Sequence, residues 1–254
     1  MTGTLCEEYL KDIEEHFSGW DFSYITETGR MDNGMLSWSY GSKVIPYIRK
    51  SRAMLDMGTG GGEMLSKFQP LPPITCATEG YAPNFPIAKQ RLEPLGVKVK
   101  EIKEDNLLPY EGNSFDLVIN KHEEYSAIEV KRVLSTEGIF ITQQVGGHDC
   151  NEINHALSAP VNDDFIHWNL EYARKELDQE GFDVLEWKEE EPVQRFYDIG
   201  ALVYYLKAIP WQIPDFTINR YKDALITIHN TIQTKGYFEV NTNRFLLIAT
   251  MKSK

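Results

Sequence analysis

The chain has 254 residues, 42% hydrophobic and 25% charged, with 26 Lys and Arg against 38 Asp and Glu and a formal net charge of −12. That length buries a sizeable core, the composition excludes a disordered or fibrous class, and the acidic balance disfavours nucleic acid as a partner. The 3 cysteines, Cys6, Cys76 and Cys150, form no CxxC pair or metal-ligand spacing, and no apolar run reaches the ~20 residues that cross a bilayer, so a cytoplasmic protein with reduced thiols is expected.

In chain order, "VIPYIRKS" (44–51) leads into a strand, "AMLDMG" (53–58), and "EMLSKF" (63–68) reads as a short helix. A second strand fits "ITCATE" (74–79), a helix "FPIAKQRLEPLG" ends at Gly96, and a third strand fits "VKVKEI" (97–102). The fourth strand is "FDLVINKH" (115–122), followed by the helix "AIEVKRVLS", a turn at "TEG" and a fifth strand, "IFITQQV" (139–145). "NLEYARKELDQEG" is a helix that stops at Gly181, "FDVLEW" (182–187) a sixth strand and "RFLLIATMK" (244–252) the last. Strand and helix taking turns predict an α/β, doubly wound, seven-stranded and mostly parallel sheet. Residues 188–236 are too apolar for a solvated loop and predict two helices, "DIGALVYYLKAI" and "RYKDALITIHNTIQ", joined by the proline-punctuated "PWQIPDF".

Between the first strand and its following helix stand Gly58, Gly60, Gly61 and Gly62. A strand, a glycine turn and a helix start form the order that nucleotide-type sites use. Glu63 stands where a P-loop needs Lys, and it also breaks the dinucleotide fingerprint at its last glycine. What is left is acid-x-G-x-G-x-G: Asp56, Gly58, Gly60, Gly62. An acid there repels a pyrophosphate and attracts an ammonium, which favours a ligand with a cationic amino-acid end. A tight turn with no ligand is the plain alternative. Polar residues at the other strand ends bear on the same crevice: Glu79, Asp105 with Asn106, and Asn120. Their plain alternatives are a helix N-terminal charge, a turn and a strand-end cap.

With "LDMGTGGGE", "LPYEGNSFDLVIN" and "EVKRVLSTEGIFITQQVGG" in this order, the chain resembles the class I S-adenosylmethionine-dependent methyltransferases. The resemblance covers roughly residues 35–150, and the terminal "RFLLIATMK" matches the antiparallel last strand of that Rossmann-like fold. It implies S-adenosyl-L-methionine as cofactor and methyl transfer to a small-molecule acceptor, with RNA or protein methylation and a non-catalytic cofactor-binding module as alternatives. It further implies that Asp56, Gly58, Thr59, Gly60 and Gly62 cradle the methionine part and Glu79 holds the ribose. Asp105 with Asn106 then meets the adenine, and Asn120 borders the sulfonium. Gly80 stands where the family has an apolar residue against the adenine, which leaves that contact to Tyr81 or another side chain.

The remaining candidates bear on the acceptor. His122, in "INKHEEY", is the histidine nearest the inferred methyl and a candidate base, with a wall or cofactor contact as its alternative. The same stretch lacks Asn/Asp-Pro-Pro-Tyr, which argues against adenine- and glutamine-type nitrogen acceptors. Trp38 and Tyr40 either form a lid over the cofactor or pack in the core; Gln143, Gln144, Gly146 and Gly147 follow the fifth strand; Trp211, Tyr204 and Tyr205 line either a pocket or the core. The expected organisation is one domain, 1–254, with an N-terminal helical lid (1–50), a cofactor-binding core (51–190) and a helical insertion (191–240) as substrate cap. No metal is expected.

Overall fold

A computed structural model describes residue 17, residues 22–103 and residues 106–252. Its main sheet holds seven strands: β2 (Ala53–Met57), β3 (Ile74–Glu79), β4 (Lys98–Glu101), β5 (Phe115–Lys121), β6 (Leu134–Val145), β7 (Phe182–Glu190) and β10 (Arg244–Met251). Their spatial order is β4-β3-β2-β5-β6-β10-β7, and β10 runs antiparallel to both of its neighbours. The sheet is thus the doubly wound, mostly parallel one that the alternation of elements predicts.

Period-2 alternation splits the strand residues between two cores. Met54, Leu117, Ile119, Ile141, Leu246 and Ile248 face the helices α2 (Tyr40–Ile48) and α3 (Phe85–Leu92). On the opposite face, Leu55, Val118, Phe140 and Leu247 meet α4 (Ala127–Val133) and α6 (Leu170–Gln179). The central strands are apolar on both faces because both are covered.

A third core lies outside the sheet. It joins α5 (Asn151–Leu157), α7 (Ile199–Ala208) and α8 (Lys222–Lys235) through Ile153, Leu202, Leu225 and Ile228. Against them stands a second, three-stranded antiparallel sheet of β1 (Met31–Asn33), β8 (Val193–Phe196) and β9 (Phe238–Asn241), after the one-turn helix α1 (Ser23–Thr26). Residues 191–240 therefore contain the two expected helices and also two strands that the sequence does not announce. One of them, β8, pairs with β1 from the other end of the chain, Met31 facing Phe196 and Asp32 facing Arg195, and β9 pairs with β8. Arg30 fixes the junction with two hydrogen bonds to Asp198, at 2.8 and 2.7 Å, while Asp198 also accepts the Ala201 N–H at the start of α7.

The helix expected over 63–68 is instead a single 3-10 turn, Leu65–Lys67. Pro70, Pro72 and Pro73 follow directly, and proline neither donates to a continuing helix nor lets its predecessor stay helical. Arg49 donates to the carbonyls of Phe68, Gln69 and Pro70 that the aborted helix leaves behind. The glycine turn consequently has no helix N-terminus behind it, and the backbone donors that the sequence order promised are those of a turn.

Candidate functional site at the carboxyl ends of the strands

Asp56 is the fourth residue of β2, and its neighbour in the register on β3, Ala77, lies two residues before Glu79. Both carboxylates are buried, at 8% and 2% exposure. Thr59 ties the turn together: its hydroxyl donates to Asp56 Oδ2 at 2.7 Å and its N–H to the Thr78 carbonyl at 2.9 Å. Burial pushes Asp56 up to about 7, the Thr59 hydroxyl opposing and the Glu79 charge reinforcing the shift. Glu79 Oε1 accepts the Tyr81 N–H at 2.8 Å.

The glycines divide by task. Gly58 has φ +65°, and a Cβ there would sit 2.2 Å from Glu123 Cγ, so the chain after β5 lies directly on the turn. Gly62, with φ +80°, faces Leu92 of α3 at 2.7 Å from a Cβ, which makes it a packing glycine. Gly62→Ala is expected to destabilise the fold by about 2–4 kcal/mol in urea unfolding, combining left-handed backbone strain with overpacking. Gly80 has ordinary φ and its nearest neighbour, Ile102, at 3.8 Å, so Gly80→Ala stays within about 0.5 kcal/mol. Gly60 also has positive φ, at 63°.

Asn120 is fully buried near the end of β5. Its Oδ1 accepts the Thr142 hydroxyl at 2.8 Å and Gln144 Nε2 at 2.6 Å, which orients the amide and leaves Nδ2 with no acceptor among the described residues. Gln144 Nε2 also lies 2.9 Å from the Glu123 carbonyl. Gln144, expected at the acceptor, is thereby 4% exposed and committed to holding Asn120 and the Glu123 loop. Its neighbour Gln143 faces the other side of the sheet and does the contacting. Trp38 Nε1–H donates to Gln143 Oε1 at 2.9 Å, and Gln143 Nε2 lies 3.0 Å from His122 Nε2. Indole N–H is a donor only, so the Gln143 amide presents its NH2 to His122 and assigns Nε2 as the acceptor of a neutral ring protonated at Nδ1. Desolvation, with the Lys121 and Arg244 charges, holds His122 well below the ordinary imidazole range, although the residue as a whole is exposed. Its φ of +60° is a strained conformation for a non-glycine residue.

This geometry speaks against the expected base. The one unprotonated nitrogen of His122 already receives a hydrogen bond, and what it can offer a ligand is the Nδ1–H donor.

Tyr40 OH donates to the Asn120 carbonyl at 3.1 Å, so Trp38 and Tyr40 both stand over the ends of β5 and β6. Trp211 is 47% exposed, and its carbonyl accepts from Asn162. Tyr204 and Tyr205 are core residues, 2% and 4% exposed, the second donating to Cys150 Sγ at 3.6 Å. Asn106 is exposed, Tyr81 is 56% exposed, and Asp105 lies outside the described residues. Lys121 and Arg244, which the sequence reading passed over, flank His122. Their signal is a cation at the end of an otherwise apolar strand. A surface hollow of about 230 Å³, lined by His148, Glu152, His155 and Asn243, includes none of the predicted residues. No group of His, Cys, Asp and Glu suited to a metal ion occurs among the described residues. No helix there is long and apolar enough to cross a membrane.

No protein-family model matches the chain, and no curated protein does. Solved structures do. YcgJ from Bacillus subtilis is 15% identical, over 84% of this chain and 98% of its own, with a TM-score of 0.58. A SAM-dependent methyltransferase from Thiobacillus denitrificans, in complex with S-adenosyl-L-homocysteine, is 17% identical over 91% and 98%, with a TM-score of 0.50. The [4+2]-cyclase SpnF is 16% identical over 98% and 93%, with a TM-score of 0.52. At such identities the likeness is one of fold: the class I methyltransferase fold, here shared with a protein named for a cyclisation.

Proposed function

From that fold, we propose that the chain transfers a methyl group from S-adenosyl-L-methionine to a small-molecule acceptor. The observation that carries this reading is the pair of buried carboxylates, Asp56 and Glu79, at adjacent strand ends beside a turn with no room for a side chain at Gly58. Two buried acids suit a ligand that brings an ammonium and hydroxyl donors, and they repel a nucleotide phosphate. The orphaned Asn120 Nδ2 supplies the donor that complements them. The Thiobacillus neighbour, solved with S-adenosyl-L-homocysteine, adds support.

On this reading Asp56, with the turn from Gly58 through Thr59 and Gly60, holds the amino-acid end. Glu79 accepts from the ribose hydroxyls, Asp105 with Asn106 meets the adenine, and Asn120 lies nearest the sulfur. Gly80 leaves space beside Ile102 for the base. When bound, the cofactor supplies a methyl group already activated by a sulfonium, so the protein contributes mainly proximity and orientation, up to ~7–11 kcal/mol in favourable cases. Trp38 and Tyr40 exclude water above β5 and β6, and His122 orients the acceptor through Nδ1–H. Residues 22–39, ahead of the core helix α2, act as a lid and the 191–240 insertion as a cap; residues 1–16 and 18–21 of the expected 1–50 lid lie outside the described residues.

The test is direct. S-adenosylhomocysteine should raise the melting temperature while NAD and ATP do not, and a labelled-methyl screen of metabolite extract beside total RNA should label a small molecule. Labelled RNA would overturn the acceptor class; binding without transfer to anything would assign a non-catalytic module; no response to either methyl donor or product would leave only the fold.

A further inference from the structure

Resting on the methyl-transfer reading, the acceptor side of the site carries a sign of its own. Lys121 pairs with Gln143 across β5 and β6, and Gln143 pairs with Leu246 across β6 and β10. Arg244 stands two residues before Leu246, so Lys121 and Arg244 emerge on one sheet face, two strands and roughly 10 Å apart. Between them lies Gln143, with Trp38 and His122 attached to it.

Neither cation is fully used. Lys121 is half-buried and makes no ion pair or hydrogen bond among the described residues; its Nζ has the face of Tyr40, 6.0 Å from the ring centre, and feels the Asp56 charge only from beyond ion-pair distance. Arg244 is buried to 17% side-chain exposure, and a single nitrogen, Nη1, takes both of its partners, Asp149 Oδ1 and the Asn243 carbonyl. Its Nε and Nη2 have no partner among the described residues, and that edge is the fork that grips a carboxylate with two parallel hydrogen bonds. The Lys121 ammonium thus has no hydrogen-bond acceptor among the described residues and stands near a second cation, a desolvated arrangement that an anionic ligand would relieve.

We infer that the ends of β5, β6 and β10 form a carboxylate seat, and that the methyl acceptor is an organic acid held by the Nε–Nη2 edge of Arg244 and the ammonium of Lys121. The cofactor also carries a carboxylate, so the test separates the two sources. Benzoate and its neutral isostere benzamide are titrated at constant ionic strength by ligand-observed NMR, with and without S-adenosylhomocysteine. Wild type, Lys121→Met and Arg244→Lys are compared, the last keeping a cation for Asp149 while removing the fork.

Benzoate should bind at least roughly tenfold tighter than benzamide, and each substitution should cost benzoate about tenfold or more. At about pH 8.5, where Asp56 is ionised with or without the Lys121 charge, Lys121→Met should leave S-adenosylhomocysteine affinity within about threefold. Equal binding of acid and amide, no benzoate binding up to its solubility limit, or a benzoate affinity untouched by Lys121→Met overturns the seat. A tenfold loss of S-adenosylhomocysteine affinity in Lys121→Met overturns it too, by assigning Lys121 to the cofactor. If wild type prefers benzoate in a Lys121-dependent way yet never binds S-adenosylhomocysteine, the seat stands and the methyl-transfer reading falls.

Discussion

Glu79→Gln should weaken S-adenosylhomocysteine binding by roughly 30–100-fold, as read by calorimetric titration. The substitution keeps the shape of the side chain and an oxygen for the Tyr81 N–H, which Glu79 Oε1 accepts at 2.8 Å, so the turn after β3 survives. On the proposed reading it removes the charge that would strengthen hydrogen bonds from two ribose hydroxyls, each charge-assisted bond being worth about 1.5–3 kcal/mol and its neutral counterpart about 1. Because the side chain is 2% exposed, bulk water does not screen the difference. Near-ultraviolet circular dichroism checks that the variant is folded. A folded variant binding within threefold of wild type would remove Glu79 from the site. A second readout follows from proximity: Glu79 raises the Asp56 carboxyl, so in the variant the midpoint of any Asp56-controlled pH profile should move down.

Asp56 should impose a pH dependence that Asp56→Asn abolishes. Burial pushes its carboxyl up to about 7 in the folded chain from an ordinary 3.8. Between those values the folded state binds more protons than the unfolded one, so stability falls as pH rises from about 4 to about 7 and then levels off. The full difference is roughly 4 kcal/mol at 1.36 kcal/mol per pH unit, an upper figure for a site that admits water. Urea unfolding of wild type and Asp56→Asn across this window should show equal stability near pH 4 and a widening advantage for the variant above it. Ligand binding runs the other way. An ammonium needs the ionised carboxylate, so wild-type affinity for S-adenosylhomocysteine should climb up to tenfold per unit toward pH 7 and flatten beyond, while the variant binds weakly and evenly. Parallel stability curves for the two proteins would mean that Asp56 is ionised at its ordinary pH.

The strand candidates were legible because they are local. An apolar run ending in Asp56, another ending in Glu79 and a third ending in Asn120 and Lys121 identify themselves by composition and by their flanking turns. Alternation of strand and helix then leaves few sheet orders. The reading went wrong where a local signal met a competitor. Residues 63–68 look helical, yet the prolines at 70, 72 and 73 stop them after one 3-10 turn. Gln143 and Gln144 look equivalent, but consecutive strand residues face opposite sides, which sends Gln143 to Trp38 and His122 and Gln144 to Asn120.

By itself the sequence determined the seven main strands, the glycine turn and the identity of two of its acids, since each depends on residues within one short stretch. Only the tertiary structure decided that Asp56 is held near neutrality, that His122 has its lone pair filled, that Glu123 lies on Gly58, and that Arg244 reaches the charge environment of Lys121. Those properties are set by burial and by partners far along the chain, and neither desolvation nor a contact between distant residues leaves a trace in the order of neighbours. The same holds for the second sheet, whose strands β1 and β8 are unremarkable until the fold lays Met31 beside Phe196.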